Sequence, residues 1–268
     1  MKTPPVSLKE RLSRRELTLG SWITLDHPGI AEIMAQAGFD WLTVDMEHSA
    51  IGIAGAQRLI QVIELSGVVP LVRVGDNDPI IIKRVMDAGA HGVIVPMVNS
   101  RSDAERAVAS AYYPPRGKRG VGLARAQGYG ADFEGYRKRS QERTVVIVQI
   151  EHIEAVNNLE SILSVAGVDG FIVGPYDLSG SLGVPGQFDH PDVVSALARI
   201  REVSRSAKPV AGFHSVPSDA SGAIAKIQEG YLFVGYSVDI LLLGDAVRGG
   251  LAAISAGTGH PINPRGGR

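Results

Sequence analysis

The chain contains no cysteine among its 268 residues. A disulfide framework, a thiolate metal site and a cysteine nucleophile are therefore excluded. Any metal must be held by Asp, Glu, His, carbonyl oxygens or water. An excess of one charge is also missing, since the formal net charge is −1. That argues against a protein whose main task is gripping nucleic acid, because phosphate binding needs a concentrated basic face. No run approaches the roughly 18 to 20 consecutive apolar residues of a membrane span. The first residues, MKTPPVSLKERLSRREL, are polar and charged, without the apolar core of a secretory signal. These absences lead to the expectation of a cytoplasmic protein with neither nucleic acid nor membrane as partner. A Gly-x-Gly-x-x-Gly fingerprint is lacking in SWITLDHPG, after the first apolar run. That counts against a doubly wound dinucleotide-binding sheet.

What is present is a regular alternation. Short runs rich in Val, Ile and Leu read as buried strands: LGSWITL, DWLTVDME, VVPLVRV, GVIVPMV, TVVIVQIE, GFIVGP, PVAGFH and YLFVGYSV. Longer segments with helical spacing lie between them, among them AQRLIQVIELSG, PIIIKRVMDAGA and VVSALARIREVSRSA. Several end in Gly, the common left-handed stop of a helix. Strands apolar on both faces and alternating with helices imply a parallel sheet. Eight such units close a (β/α)8 TIM barrel in the α/β class. No composition shift marks a second domain, so one domain is expected over 1–256, with a flexible tail over 257–268. The stretch 112–143, rich in Pro, Gly, Arg and Tyr, is too long for an ordinary loop. It is expected to lie over the barrel mouth.

Chemistry in such a barrel belongs at the C-terminal ends of the strands. The second strand ends in Asp45, Glu47 and His48, and the third carries Arg73. The fifth ends in Gln149, Glu151 and His152, the sixth in Gly174, Pro175, Tyr176 and Asp177, and the seventh in His214. Each has a bland reading when taken alone. A single strand-end histidine is commonly structural, and Asp177 equally suits the N-cap of a following helix. Together they converge on one rim, where buried charge must be paired or bind a ligand. Glu151 and Asp177 come from adjacent strands about 4.8 Å apart. Two carboxylates with no thiolate favour a hard dication: Mg²⁺, Mn²⁺ or Co²⁺. Positions left for water and substrate make a catalytic site the more natural reading.

VDMEHS, PLVRV, KRVMDAGAHGVIVPMV, YYPPRGKRGVG, VVIVQIE and VDGFIVGPYDLSGSLG, in this order, resemble the HpcH/HpaI aldolase family. The likeness runs from about Leu19 to about Leu243. It implies a phosphoenolpyruvate/pyruvate superfamily-like barrel and a divalent-metal lyase. Such an enzyme cleaves 4-hydroxy-2-oxo acids to pyruvate, or a related 2-oxo acid such as hydroxypyruvate, and an aldehyde. Residue by residue, the resemblance makes Glu151 and Asp177 the metal ligands and Arg73 the contact to the keto oxygen. His48 becomes the base, and Asp45 and Asp87 the acids that orient it. Gln149, Gly174, Pro175 and Tyr176 lie by the keto acid. It also implies a homo-oligomer, a trimer-based hexamer with the last helix exchanged between subunits. Tyr176 and Met46 depart from positions usually small and often Gly, so aldehyde preference does not carry over. Arg119 and Arg125 are open between contact with a distal acid group and a solvated role, and His214 has no carried-over role. Enolate stabilisation by a lysine Schiff base is disfavoured, because no lysine ends an inner strand. The alternatives are an acyl-CoA lyase of the citrate-lyase beta type and a non-catalytic keto-acid-binding barrel.

Overall fold

The computed structural model describes residues 6–262. Eight parallel strands close a barrel in sequence order: β1 (Thr18–Ile23), β2 (Trp41–Asp45), β3 (Val69–Arg73), β4 (Gly92–Val95), β5 (Val145–Ile150), β6 (Gly170–Val173), β7 (Val210–Ser215) and β8 (Phe233–Val238). The helices are α1 (Leu8–Ser13), α2 (Pro28–Gln36), α3 (Ile53–Leu65), α4 (Pro79–Asp87), α5 (Arg101–Ala111) and α6 (Phe133–Arg143). They continue with α7 (Ile153–Asn157), α8 (Leu159–Leu163), α9 (Pro175–Ser181), α10 (Pro191–Ser204), α11 (Ser221–Gln228) and α12 (Asp239–Thr258).

The strands are buried on both faces, which is why they read as continuous apolar runs. Leu71, Ile94, Ile147, Ile172, Val210 and Phe233 share one buried cluster with Trp22 and Trp41. Trp41 stacks on Phe233 at 4.2 Å, and a side chain at Gly20 would run into the indole at 2.0 Å. Leu8 and Leu12 of α1 join this cluster. Lys9 hydrogen-bonds the Thr144 carbonyl and ion-pairs with Asp169, beside the starts of β5 and β6. That places α1 across the N-terminal end of the barrel. The other end is left open as a mouth. A second cluster, drawn from all eight strands and the surrounding helices, packs helix to strand.

Three expectations need correction. The 112–143 stretch joins the end of α5 to the start of β5, so topology places it at the N-terminal face, away from the mouth. It also contains a helix, α6. The helix α12 runs through Thr258, past the expected domain end at 256, while residues 263–268 of the expected tail lie outside the described residues. By length and composition α12 is long and apolar enough to cross a membrane, which the sequence reading had not registered.

Candidate active site

Strand register brings the charged residues together. Asp45 and Arg73 are direct partners on the β2–β3 ladder and face the same way. Arg73 donates from Nε to Asp45 Oδ1 at 2.9 Å and from Nη2 to Asp45 Oδ2 at 2.6 Å. The guanidinium lies over the Trp22 ring at 4.6 Å, and its Nε is 3.2 Å from Glu47 Oε2. Arg73 therefore points into the mouth, with its side chain 11% exposed. Burial alone would push the Asp45 carboxyl up. The Arg73 guanidinium and the backbone N–H groups of Glu47 and His48 outweigh that and hold it below the usual range.

Asp45 thus does not orient the His48 imidazole, as the resemblance implied. Its carboxylate grips Arg73 and accepts the His48 backbone N–H at 3.2 Å. The imidazole projects into the mouth, 65% exposed, with Nε2 3.7 Å from Glu47 Oε2. Asp87 is not beside His48 within the chain either. It closes α4 at the N-terminal face, where it pairs with Arg119 at 2.5 Å and accepts from Gln127 at 3.2 Å. The physical reason is the path of α4, which descends from the end of β3 and carries its last residue away from the mouth.

Glu151 follows β5 and is buried. Its Oε1 accepts the Met97 backbone N–H at 2.7 Å, and its Oε2 accepts from Gln149 Nε2. Met97 holds φ at 51°, a left-handed conformation uncommon for a side chain of this size. That turn aims its N–H at Glu151. Sequence reading missed Met97 because the contribution is backbone, which leaves no mark in residue type. Gly174 is the ladder position next after the Ile150–Val173 pair. A Cβ there would sit 3.1 Å from Glu151 Oε2, so glycine leaves room for the carboxylate. Asp177 lies in the first turn of α9, whose first residue is Pro175. The N-cap is Gly174, so the N-cap reading of Asp177 falls and its carboxylate stays free of a capping bond.

Glu47, a strand-end residue to which the resemblance gives no role, belongs to this cluster. Burial pushes its carboxyl up to about 7, Arg73 opposes, and the charges of Glu151, Asp45 and Asp177 add to the rise. Its Oε2 is buried with no hydrogen-bond partner. Its motif position beside His48 was the available signal.

A cavity of about 520 Å³ opens over these groups, bounded by Trp22, His48, Arg73, Gln149, Asp177 and His214 among others. Gly174, Pro175 and Tyr176 also line it. His214 packs on Trp22 at 5.0 Å, and its Nε2 is 3.0 Å from the Ser237 carbonyl. Burial pushes this imidazole down to about 4, against the opposing pull of that carbonyl. His152 caps α7 by accepting the Glu154 N–H. Arg119 and Arg125 do not reach the chain's own mouth. Arg119 is buried under Tyr113 and Tyr136, and Arg125 bridges Glu64 and the Ala88 carbonyl.

This constellation, on this barrel, meets a family model described as HpcH/HpaI aldolase/citrate lyase over residues 18–246. The chain belongs to that family. It is 37% identical over 246 residues to the hydroxypyruvate/pyruvate aldolase of Roseobacter denitrificans, covering 91% of this chain and 94% of that one. It is 36% identical over 222 residues to a 5-keto-4-deoxy-D-glucarate aldolase of Shigella dysenteriae, covering 82% and 87%. A family structure from Burkholderia cenocepacia superposes with a TM-score of 0.87 at 34% identity, over 92% of this chain and 98% of that one. The family assignment fits the eight-stranded barrel and the strand-end chemistry. The sequence resemblance named the same family.

Proposed function

We propose that this member of the family is a carbon–carbon lyase. It reversibly cleaves a 4-hydroxy-2-oxo acid to pyruvate, or a related 2-oxo acid, and an aldehyde. The observation that carries the reading is one guanidinium, Arg73, set among four carboxylates, Asp45, Glu47, Glu151 and Asp177, in a barrel mouth. The names of the relatives support it.

The four carboxylates and one guanidinium leave excess negative charge in a low-dielectric cleft. Glu47 Oε2, which makes no hydrogen bond and shares Arg73 with Asp45, belongs to the same imbalance. A divalent cation fits it. Among the described residues no three His, Asp or Glu side chains converge into a closed cage, which suits two protein ligands with water and substrate completing the shell. Glu151 and Asp177 would hold the ion, and the all-oxygen donor set selects Mg²⁺, Mn²⁺ or Co²⁺. When bound, the ion supplies Lewis-acid polarisation of the 2-oxo group.

The side chains do the rest. Arg73, fixed by Asp45 and stacked on Trp22, aims positive charge where the enolate oxygen develops. Gln149 and the Met97 N–H fix the Glu151 carboxylate in one rotamer. His48 takes the proton of the C4 hydroxyl, directly or through one water, as the C3–C4 bond breaks. Glu47 Oε2 lies 3.7 Å from His48 Nε2, beside the position where that proton arrives. Among the described residues a Schiff-base route has no candidate: the one lysine there with a burial-lowered pKa, Lys9, is held by Asp169 at the opposite end of the barrel.

Assembly as a homo-oligomer, a trimer-based hexamer, belongs to this proposal. It is supported by the unpartnered apolar face of α12. The acyl-CoA lyase reading has less support, because Arg73 is the one Lys or Arg lining the cavity and nothing there would grip nucleotide phosphates. The deciding experiment measures deuterium exchange into the pyruvate methyl group with Mn²⁺, then after exhaustive chelation. Exchange that needs the metal is expected. Exchange undiminished by chelation overturns the class II assignment, and no exchange with metal leaves a binding protein.

A further inference from the structure

Trp22, Arg73, Gln149 and His214 are the last inward residues of β1, β3, β5 and β7, and all four line the cavity. They form one layer, the usual filling of such a barrel by alternate strands. Arg73 faces the 2-oxo group, Gln149 fixes Glu151, and Trp22 lies under the guanidinium. His214 is the fourth member, and the resemblance gives it no role. Its ring rests on Trp22, and its Nε2 donates to the Ser237 carbonyl at 3.0 Å. An irregular backbone aims that carbonyl. The β1–β8 register slips there, from Gly20–Gly235 to Trp22–Val238, and Ser237 is left-handed at φ 54°. A carbonyl only accepts, so Nε2 carries the ring proton and Nδ1 is a bare acceptor. Burial keeps the ring neutral at ordinary pH. Among the described residues Nδ1 has no hydrogen-bond partner, and it is not sealed from the mouth.

Resting on the aldolase reading above, we propose that His214 Nδ1 accepts a hydrogen bond from a hydroxyl on C3 of the oxo acid. The preferred donor is then a 3-hydroxy-2-oxo acid, of which hydroxypyruvate is the smallest. An acceptor cannot pair with the carboxylate or the keto oxygen, which also only accept. Beyond these pyruvate offers only a methyl group, which leaves Nδ1 to water. A C3 hydroxyl supplies the missing O–H. Placement selects C3 over a hydroxyl of the aldehyde. His214 shares its layer with Arg73 and Gln149, which flank the oxo acid, whereas the C4 oxygen lies at His48, beyond the end of β2. A dication on Glu151 and Asp177 does not compete, since it draws on oxygen lone pairs and Nδ1 on the hydroxyl proton. The hydroxyl keeps its bonds through the reaction, so the product carries hydroxyls on both C3 and C4.

The test compares kcat/KM for hydroxypyruvate and pyruvate with Mn²⁺ and acetaldehyde, which carries no hydroxyl, alongside pyruvate deuterium exchange. A preference for hydroxypyruvate of about 5-fold or more is expected, the size of one net hydrogen bond. His214→Leu keeps an apolar side chain against Trp22, loses the acceptor and should remove that preference. Calorimetry of the unaltered protein with Mg²⁺ needs neither turnover nor a variant. Hydroxypyruvate should bind about 5-fold more tightly than fluoropyruvate, whose fluorine fills similar space with no proton to donate. Three results overturn the role of His214: equal or better use of pyruvate, equal or tighter binding of fluoropyruvate, or an unchanged ratio in folded His214→Leu. With exchange intact, each leaves the aldolase reading standing. Absence of exchange overturns both.

Discussion

Arg73 meets more negative charge than it can neutralise, and its geometry makes it hard to replace. The fork to Asp45 and the stack on Trp22 both need a planar guanidinium. Arg73→Lys keeps a charge but loses the fork. It is expected to fold and to lose catalysis by a factor on the order of 10² or more, as for other lost charge-stabilising donors. A near-normal kcat in a folded Arg73→Lys protein removes Arg73 from the mechanism. His214 gives a different kind of prediction, in stability. Its imidazole titrates near 4 in the folded state and near 6.5 in an unfolded chain. As pH falls through that window the unfolded chain takes up a proton that the folded one refuses, so stability falls with pH. Above pH ~6.5 the effect vanishes. Between pH 7 and 5 it amounts to about 2 kcal/mol. Urea unfolding of the protein and of His214→Asn should differ by that much in their pH dependence. Parallel profiles would mean that the ring is solvated.

At the scale of elements, the eight strands were legible because parallel strands buried on both faces must be apolar throughout. Glu151, Asp177, Arg73 and His48 were legible because polar groups at the ends of such runs have no packing reason to be there. Ladder register was not legible. It pairs Asp45 with Arg73 and leaves Glu47, not Asp45, near the imidazole. The 112–143 connection lies at the N-terminal face, not over the mouth, although its length suggests a functional loop. Its position follows from connectivity alone. What ties it down is the buried Asp87–Arg119 pair, with Arg119 also on Tyr136 Oη at 3.0 Å. Asp87→Ala strands a guanidinium away from water. A loss of about 3–5 kcal/mol is expected, the range for breaking one side of a buried pair. Thermal unfolding should show it, and trypsin should cut earlier between 116 and 143. A variant with unchanged stability and unchanged cleavage would mean that Asp87 does not hold this segment.

For the whole molecule, the issue is what covers α12. Ile240, Leu243, Val247, Leu251 and Ile254 follow one another at spacings of three and four, so they share a helix face. All five are exposed in the single chain. A contiguous apolar stripe of this length is what an interface leaves uncovered when one subunit is viewed alone. Asp245 and Arg248 lie on the same helix and pair with each other, as a helix that also meets water would require. The helix grows directly out of β8, and Asp239 at its start accepts from the Thr24 and Leu25 N–H groups after β1. Its root is therefore rigid while its far half projects, a geometry suited to packing on a second copy. Leu243→Glu combined with Leu251→Glu adds charge to the stripe without touching the barrel core. Light scattering is expected to show the native assembly falling to a smaller species, with far-UV circular dichroism unchanged. If the molar mass stays the same, the stripe is not the contact that holds subunits together, and the oligomer proposed for this chain must be built on another face.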